Sequence, residues 1–249
     1  LGGTASALVV QHPNFFGCLE DVAGAARIAH DRGALLVEVF DPISLGLLKR
    51  PGDLGADIAV AEGQPMGIPV SYGGPFLGLF ACQNKWLRKM PGRLVGQTVD
   101  IDGQRAFVLT LQAREQHIRR GKATSNICTN QGLLMIAGTI YLALMGAEGL
   151  ERVANACMAR CAELVAALTR LPGVRSAFNG TRFHEAVLLL DRPVAPVLEA
   201  LAARGIEGGF DLSRHFPELG AALLVCATEV HTSADIASYA TALGEVLQR

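Results

Sequence analysis

Cysteine is sparse in this chain, with six residues among 249 and no CxxC pair. That excludes a disulfide scaffold and a zinc knuckle, and the expected compartment is a reducing one. An excess of one charge is missing too. Twenty-two basic against 23 acidic side chains leave a formal charge of −1. Without a basic tail, a nonspecific grip on nucleic acid or anionic lipid has no electrostatic support, so neither nucleic acid nor membrane is expected as a partner. No window holds about 18 uninterrupted apolar residues, as a membrane span would need. The richest stretch, Gly132 to Met145, reads as a buried helix.

What is present is apolar content of 50%. That excludes disorder and suffices for one domain plus a smaller second one. The chain opens Leu1-Gly2-Gly3, with neither an initiator methionine nor a signal-peptide pattern, and is expected to be cut from something longer.

The apolar runs give the organisation. Residues 5–10, 35–40 and 57–61 read as buried strands, with a helical pattern at 20–30 whose inner face is Val22, Ala26 and Ala29. Continuous apolar strands alternating with a helix predict a parallel sheet covered on both faces. Residues 76–81 form a fourth run framed by glycines. Residues 95–99 and 107–111 flank Asp102-Gly103, a hairpin signal. A polar stretch, 114–130, precedes a helix over about 130–145, and a second helical pattern runs from 146 to about 168. Strands at 187–190 and 223–227, with helices at 194–204 and 233–247, complete a small α+β unit. The expected division is a large parallel-sheet domain over 1–146 and a small one over 147–249. Thr232 with Asp235 reads as helix capping, and Cys157 with Cys161 as buried thiols on one helix.

Three segments carry candidate chemistry. The run from Ala113 to Gln131 gathers Arg114, Glu115, His117, Arg119, Arg120, Lys122, Thr124, Ser125, Asn126, Thr129 and Asn130, then enters a helix whose free N–H groups favour anions. Four cations in nine residues call for an acidic partner or ligand, or form a solvated loop with a helix cap. Second, the glycine-rich stretch over residues 61–78, including Gly73 and Gly74, follows a strand at the sheet edge where open α/β folds bind ligands; it also suits an ordinary turn. Third, Glu38 interrupts an apolar strand, so its carboxylate needs a partner. That partner is either a cationic ring nitrogen, an arginine or solvent. His12, His30, His184, His215 and His231 are scattered without metal spacing and read as structural; no metal site is expected.

Taken together, these segments resemble the P-protein family of the glycine cleavage system, glycine dehydrogenase (decarboxylating), and within it the alpha chain, subunit 1, of the two-subunit form. The similar stretches are Val10-Gln11-His12-Pro13-Asn14-Phe15-Phe16-Gly17, Arg50-Pro51-Gly52-Asp53-Leu54-Gly55-Ala56-Asp57, Gly63-Gln64-Pro65-Met66-Gly67-Ile68-Pro69, Gly73-Gly74-Pro75-Phe76-Leu77-Gly78 and above all Arg114 to Gln131. The resemblance covers essentially the whole chain and only the carboxyl-terminal half or so of the family's subunit. It implies the aspartate-aminotransferase-like fold of pyridoxal phosphate enzymes (fold type I), with a partial large domain and a small carboxyl-terminal one. It also implies glycine decarboxylation on pyridoxal phosphate and transfer of the aminomethyl group to the lipoyl group of H-protein. The implied partners are subunit 2 (the beta chain), in a heterodimer or a pair of them, lipoylated H-protein and glycine. Composition, rather than the resemblance, gives the expected location: the cytoplasm of a bacterium or archaeon, or the mitochondrial matrix of a eukaryote.

The chain has four lysines: Lys49, Lys85, Lys89 and Lys122. Matching on Ile68-Pro69, the place where fold relatives carry the Schiff-base lysine falls at Gln64, which cannot form an imine. The resemblance therefore implies no catalytic residue on this chain, with the cofactor held covalently by the partner subunit. Glu38 falls where relatives place the acid that faces the pyridine nitrogen. Arg114, His117, Arg119, Arg120, Lys122, Ser125 and Asn126 are the expected contacts to cofactor or partner. Two other readings stay open: a self-sufficient pyridoxal phosphate enzyme using Lys122, and a non-catalytic structural subunit.

Overall fold

The structure is a computed structural model, and it describes residues 5–123 and 131–248. The element order begins β1 (Ala7–His12), α1 (Val22–His30), β2 (Leu35–Phe40), β3 (Ile58–Glu62) and β4 (Gly78–Cys82). These strands form one sheet in the order β1-β2-β3-β4, in which β1, β2 and β3 run parallel and β4 returns antiparallel. Asp21 starts α1 by accepting the Gly24 N–H at 2.8 Å. The helix buries Val22, Ala26 and Ala29 against Ala34, Leu36 and Ala56, which is the face expected from its spacing.

Next come the hairpin strands β5 (Leu94–Val99) and β6 (Arg105–Thr110), then the single-turn α2 (Gln116–Arg119). Asp100 closes the hairpin, its Oδ1 accepting the N–H groups of Asp102 and Gln104, while Gly103 takes a positive φ of 75°. The helix α3 (Gly132–Leu168) follows without a gap between its two halves. Its backbone leaves helical geometry at Gly146 alone (φ 61°, ψ −173°).

The rest is an antiparallel sheet packed under helices: β7 (Val174–Ser176), β8 (Glu185–Leu190), α4 (Val194–Ala202), β9 (Phe210–Asp211), β10 (Ala222–Cys226) and α5 (Ser233–Leu247), with strand order β7-β8-β10-β9. Cys161, Leu164 and Leu168 of α3 pack with Leu188, Val197, Leu201, Leu223 and Leu243 in the largest core. Thr232 and Asp235 form a complete capping box at the start of α5.

The two sheets are tied together early in the chain. The Phe183 N–H donates to the Gly17 carbonyl at 3.0 Å, the Leu19 N–H donates to the Thr181 carbonyl at 2.9 Å, and Cys18 bridges Arg182. The Phe16 ring meets Phe178 at a tilt and Phe216 edge-on, against the second sheet. Ile43, from the loop after β2, is buried with Ala154, Cys157 and Phe183.

Two expectations need correction. The described residues do not cover the first sheet on both faces: Val9 of β1 is 62% and Phe80 of β4 42% exposed. The Gly132–Met145 stretch reads as a buried helix, yet Leu133 is 78% and Leu144 81% exposed. Composition demands a cover for this face but does not say what supplies it, and the described residues do not. By length and composition α3 is also apolar enough to cross a bilayer, although no uninterrupted apolar run reaches that length; its second half packs in the core above.

Candidate functional site

Because β1, β2 and β3 are parallel, their carboxyl ends share one edge, the place where open α/β sheets receive ligands. That edge holds His12, the loop beginning at Asp41, and Glu62 with the turn that follows it. The Asp41 N–H reaches the His12 carbonyl at 3.4 Å, joining the first two loops. His12 Nδ1 accepts the Glu20 N–H at 3.1 Å, and burial lowers the His12 pKa against the opposing pull of Glu20.

Glu38 lies within β2 and is 1% exposed. Its Oε2 has no hydrogen-bond partner, and burial pushes its pKa up to about 7. Neither solvent nor an arginine serves it among the described residues. A lone carboxyl in the middle strand suits a cationic group brought from outside the chain.

The turn after β3 is a built object. Glu62 Oε1 accepts the N–H groups of Gln64 at 3.0 Å and Leu77 at 2.9 Å, stapling both sides of the glycine-rich loop. Gln64 Nε2 donates to the Ile68 carbonyl at 2.7 Å. Met66, Ile68 and Leu77 are buried, and a Cβ on Gly67 would come within 3.0 Å of Tyr141 on α3. The glycine therefore permits the turn to seat on that helix. Gly73 and Gly74 have φ of 100° and 152°, and a Cβ on Gly73 would meet nothing within 4 Å. Their conformation, not close contact, demands glycine here. Glu62 escaped sequence reasoning, since an acid ending a strand is unremarkable without its two amide partners in view.

The polar segment behaves differently from residue to residue. Arg114 is largely buried: its guanidinium donates to the carbonyls of Met90 and Gly92 and lies 3.2 Å from Glu115. It pins the segment to the entry of the β5–β6 hairpin. His117 Nε2 sits 3.2 Å from Gln112 Oε1. Arg119 and Arg120 are exposed, as is Lys122. No described carboxylate lies within ion-pair distance of these three cations, nor does a hydrogen bond join them to Glu38 or to the Gln64 turn. Arg120 also carries a positive φ of 52°. Arg88, Arg114 and Arg119 surround a cavity of about 170 Å³. Ser125 and Asn126 lie outside the described residues.

A profile of the family described as Glycine cleavage system P-protein matches residues 3–243. The chain belongs to that family. It is 56% identical over 246 residues to the probable glycine dehydrogenase (decarboxylating) subunit 1 of Nitrosospira multiformis, covering 98% of this chain and 54% of that one. The corresponding protein of Methylococcus capsulatus is 53% identical, with 99% of this chain and 55% of the relative covered. The chain thus spans about half the length of the curated relatives it matches. Among solved structures, glycine decarboxylase (P-protein) in an inhibitor-bound form superposes with a TM-score of 0.94 at 47% identity, over 99% of this chain and 56% of that one. A cysteine desulfurase from Escherichia coli shares only the fold, at TM-score 0.68 and 18% identity, over 100% of this chain and 60% of that one. The P-protein fold here is fold type I of the pyridoxal phosphate enzymes, as the sequence resemblance implies.

Proposed function

We propose that this chain is the part of a glycine dehydrogenase (decarboxylating) subunit 1 that helps to complete a pyridoxal phosphate site without supplying the lysine that holds the cofactor. The observation that carries the reading is the Gln64 turn. Its stapled backbone is intact, but the side chain at the lysine position is an amide bonded to the Ile68 carbonyl. When bound, pyridoxal phosphate supplies an electron sink for the carboxylate loss of glycine. On this chain Glu38, unpartnered and poised near neutrality, would answer the charge of the ring nitrogen. The lysines are poor candidates for anchoring: Lys85 is committed to Asp57 at 2.8 Å, and Lys122 is in the exposed cationic segment.

The covalent anchor then belongs to subunit 2, the beta chain, and lipoylated H-protein receives the aminomethyl group. The exposed cations Arg119, Arg120 and Lys122, with His117, Ser125 and Asn126, are assigned to contact with that subunit or its cofactor. The uncovered face of Leu133, Ile136 and Ile140, and the exposed Val95 and Phe107 of the hairpin, belong against the remainder of the subunit or the beta chain. The division at residues 146 and 147, the heterotetrameric assembly, and a cytoplasmic or matrix location belong to the same proposal.

Borohydride trapping tests it. The full subunit, alone and with the beta chain, is loaded with pyridoxal phosphate, reduced and mapped by mass spectrometry. Label confined to the beta chain is expected. Label on Lys122 with the partner absent would make this chain a catalyst in its own right.

A further inference from the structure

The loop after β2 meets the start of β8 and the end of β10 at a cluster of unlike donors. One ligating atom each from His184, Glu185 and Cys226 lies within 4.8 Å of the other two. The arrangement follows from strand register. Glu185 and Cys226 are directly opposed at the end of the β8–β10 ladder, so carboxylate and thiol share a face. A bend at residues 183–184 lets the neighbouring imidazole join them, and the Ala227 N–H holds the His184 carbonyl at 3.0 Å. The three residues are thus carried on hydrogen-bonded backbone.

We infer that His184, Glu185 and Cys226 hold a zinc-class divalent cation, with Asp41 as the carboxylate behind the imidazole. Imidazole nitrogen, thiolate sulfur and carboxylate oxygen together suit a borderline-soft ion rather than magnesium or calcium, which take oxygen alone. Zinc bonds of about 2.0–2.3 Å put ligand atoms roughly 3.5 Å apart, so small side-chain rotations close the set. Three protein ligands leave a fourth position for water. His184 Nδ1 is buried without a hydrogen-bond partner, 3.6 Å from Asp41 Oδ2. A carboxylate at that nitrogen is the arrangement that orients metal-bound histidines. The nearby Cys157 is already engaged, donating to Glu229 Oε2 at 3.1 Å.

Of the three ligand residues, Cys226 is exposed, and it also borders a cavity of about 500 Å³ with His231, Asp235 and Tyr239. Binding replaces the thiol proton by the metal and releases it to solvent. Sequence spacing hides this site, because the histidine–glutamate pair and the thiol come from different strands. The inference uses neither Glu38 nor Gln64, although Asp41 begins a loop on the same edge of the first sheet.

The test uses the full subunit, stripped with a chelator and titrated with cobalt(II) as the probe. One cobalt per chain is expected, with thiolate-to-cobalt charge-transfer absorption that zinc then abolishes. Cys226→Ser should remove that absorption, His184→Gln should weaken binding by about tenfold or more, and Asp41→Asn should weaken it by about tenfold with the absorption retained. Cys82→Ser should change nothing. Circular dichroism checks that each variant is folded, and Cys226→Ala repeats the thiol test should the serine variant misfold. No charge-transfer absorption in the unaltered subunit, or its persistence in a folded Cys226 variant, overturns the assignment.

Discussion

Lys85 and Asp57 form an ion pair at the end of the sheet opposite the candidate site: Nζ lies 2.8 Å from Oδ1, and the Asp57 side chain is wholly buried. His30 Nε2 adds a contact at 2.7 Å and the Leu36 N–H donates at 3.0 Å. Burial alone would raise the Asp57 carboxyl. Lys85, the Leu36 amide and His30 together outweigh it and hold the carboxyl well below the usual carboxylate range. A depressed folded-state pKa contributes stability that is present above the unfolded value and lost as pH falls. Acid unfolding should therefore steepen below about pH 4, near the ordinary aspartate value. Asp57→Asn should flatten that limb and cost about 1–3 kcal/mol at neutral pH, as read by urea unfolding across pH.

Glu38 has the opposite sign. Its folded pKa of about 7 exceeds the ordinary glutamate value of 4.5, so the folded chain holds a proton that the unfolded chain releases between them. Stability should fall as pH rises through that window, by roughly 3 kcal/mol if no cationic partner arrives. Glu38→Gln should abolish the slope and melt higher than the parent at pH 8. Parallel pH profiles of parent and variant would refute the assignment.

Gly146→Ala should cost about 1–3 kcal/mol, because φ 61° with ψ −173° is open essentially to glycine alone. No atom lies within 4 Å of the added methyl, so the penalty is conformational rather than steric crowding. Unfolding midpoints of the two proteins measure it, and equal midpoints would mean that the helix simply straightens.

Replacing Arg119 and Arg120 together by alanine should leave the chain's own melting unchanged, since neither has a described carboxylate partner. Association with the beta chain should weaken by about tenfold or more, roughly 1.4 kcal/mol. Sedimentation of the mixed subunits reads the effect. Full assembly and activity in the double variant would remove these residues from the interface.

Much of the frame was legible because burial writes itself as periodicity. The strand at Leu35–Phe40 and the helix at Ser233–Leu247 agree with the spacing residue for residue, and the capping pair Thr232 and Asp235 announced its helix. The short strands Val174–Ser176 and Phe210–Asp211 were not visible, since two or three residues show no period. The candidate site was legible only in part. Glu38 stood out as a charge in an apolar strand. Arg114 looked like its cationic neighbours, and only its contacts with Met90 and Gly92 reveal it as a fastening rather than a free ligand. Glu62 bonds two backbone amides, which no residue type announces, and His184 has neighbours remote in sequence, so spacing alone carries no trace of their roles.

The early tie between Gly17–Leu19 and Thr181–Phe183 makes chain order a poor guide to what can be separated. Gly17 sits where a Cβ would fall 2.1 Å from the Glu185 carbonyl oxygen, so the upstream loop is threaded hard against the second sheet. Phe16 and Ile43 are in turn packed among residues more than a hundred positions downstream. A protease cut at Gly146 would leave a nicked but still assembled body, whereas residues 147–249 expressed by themselves would leave bare the surfaces that Phe16, Leu19 and Ile43 cover.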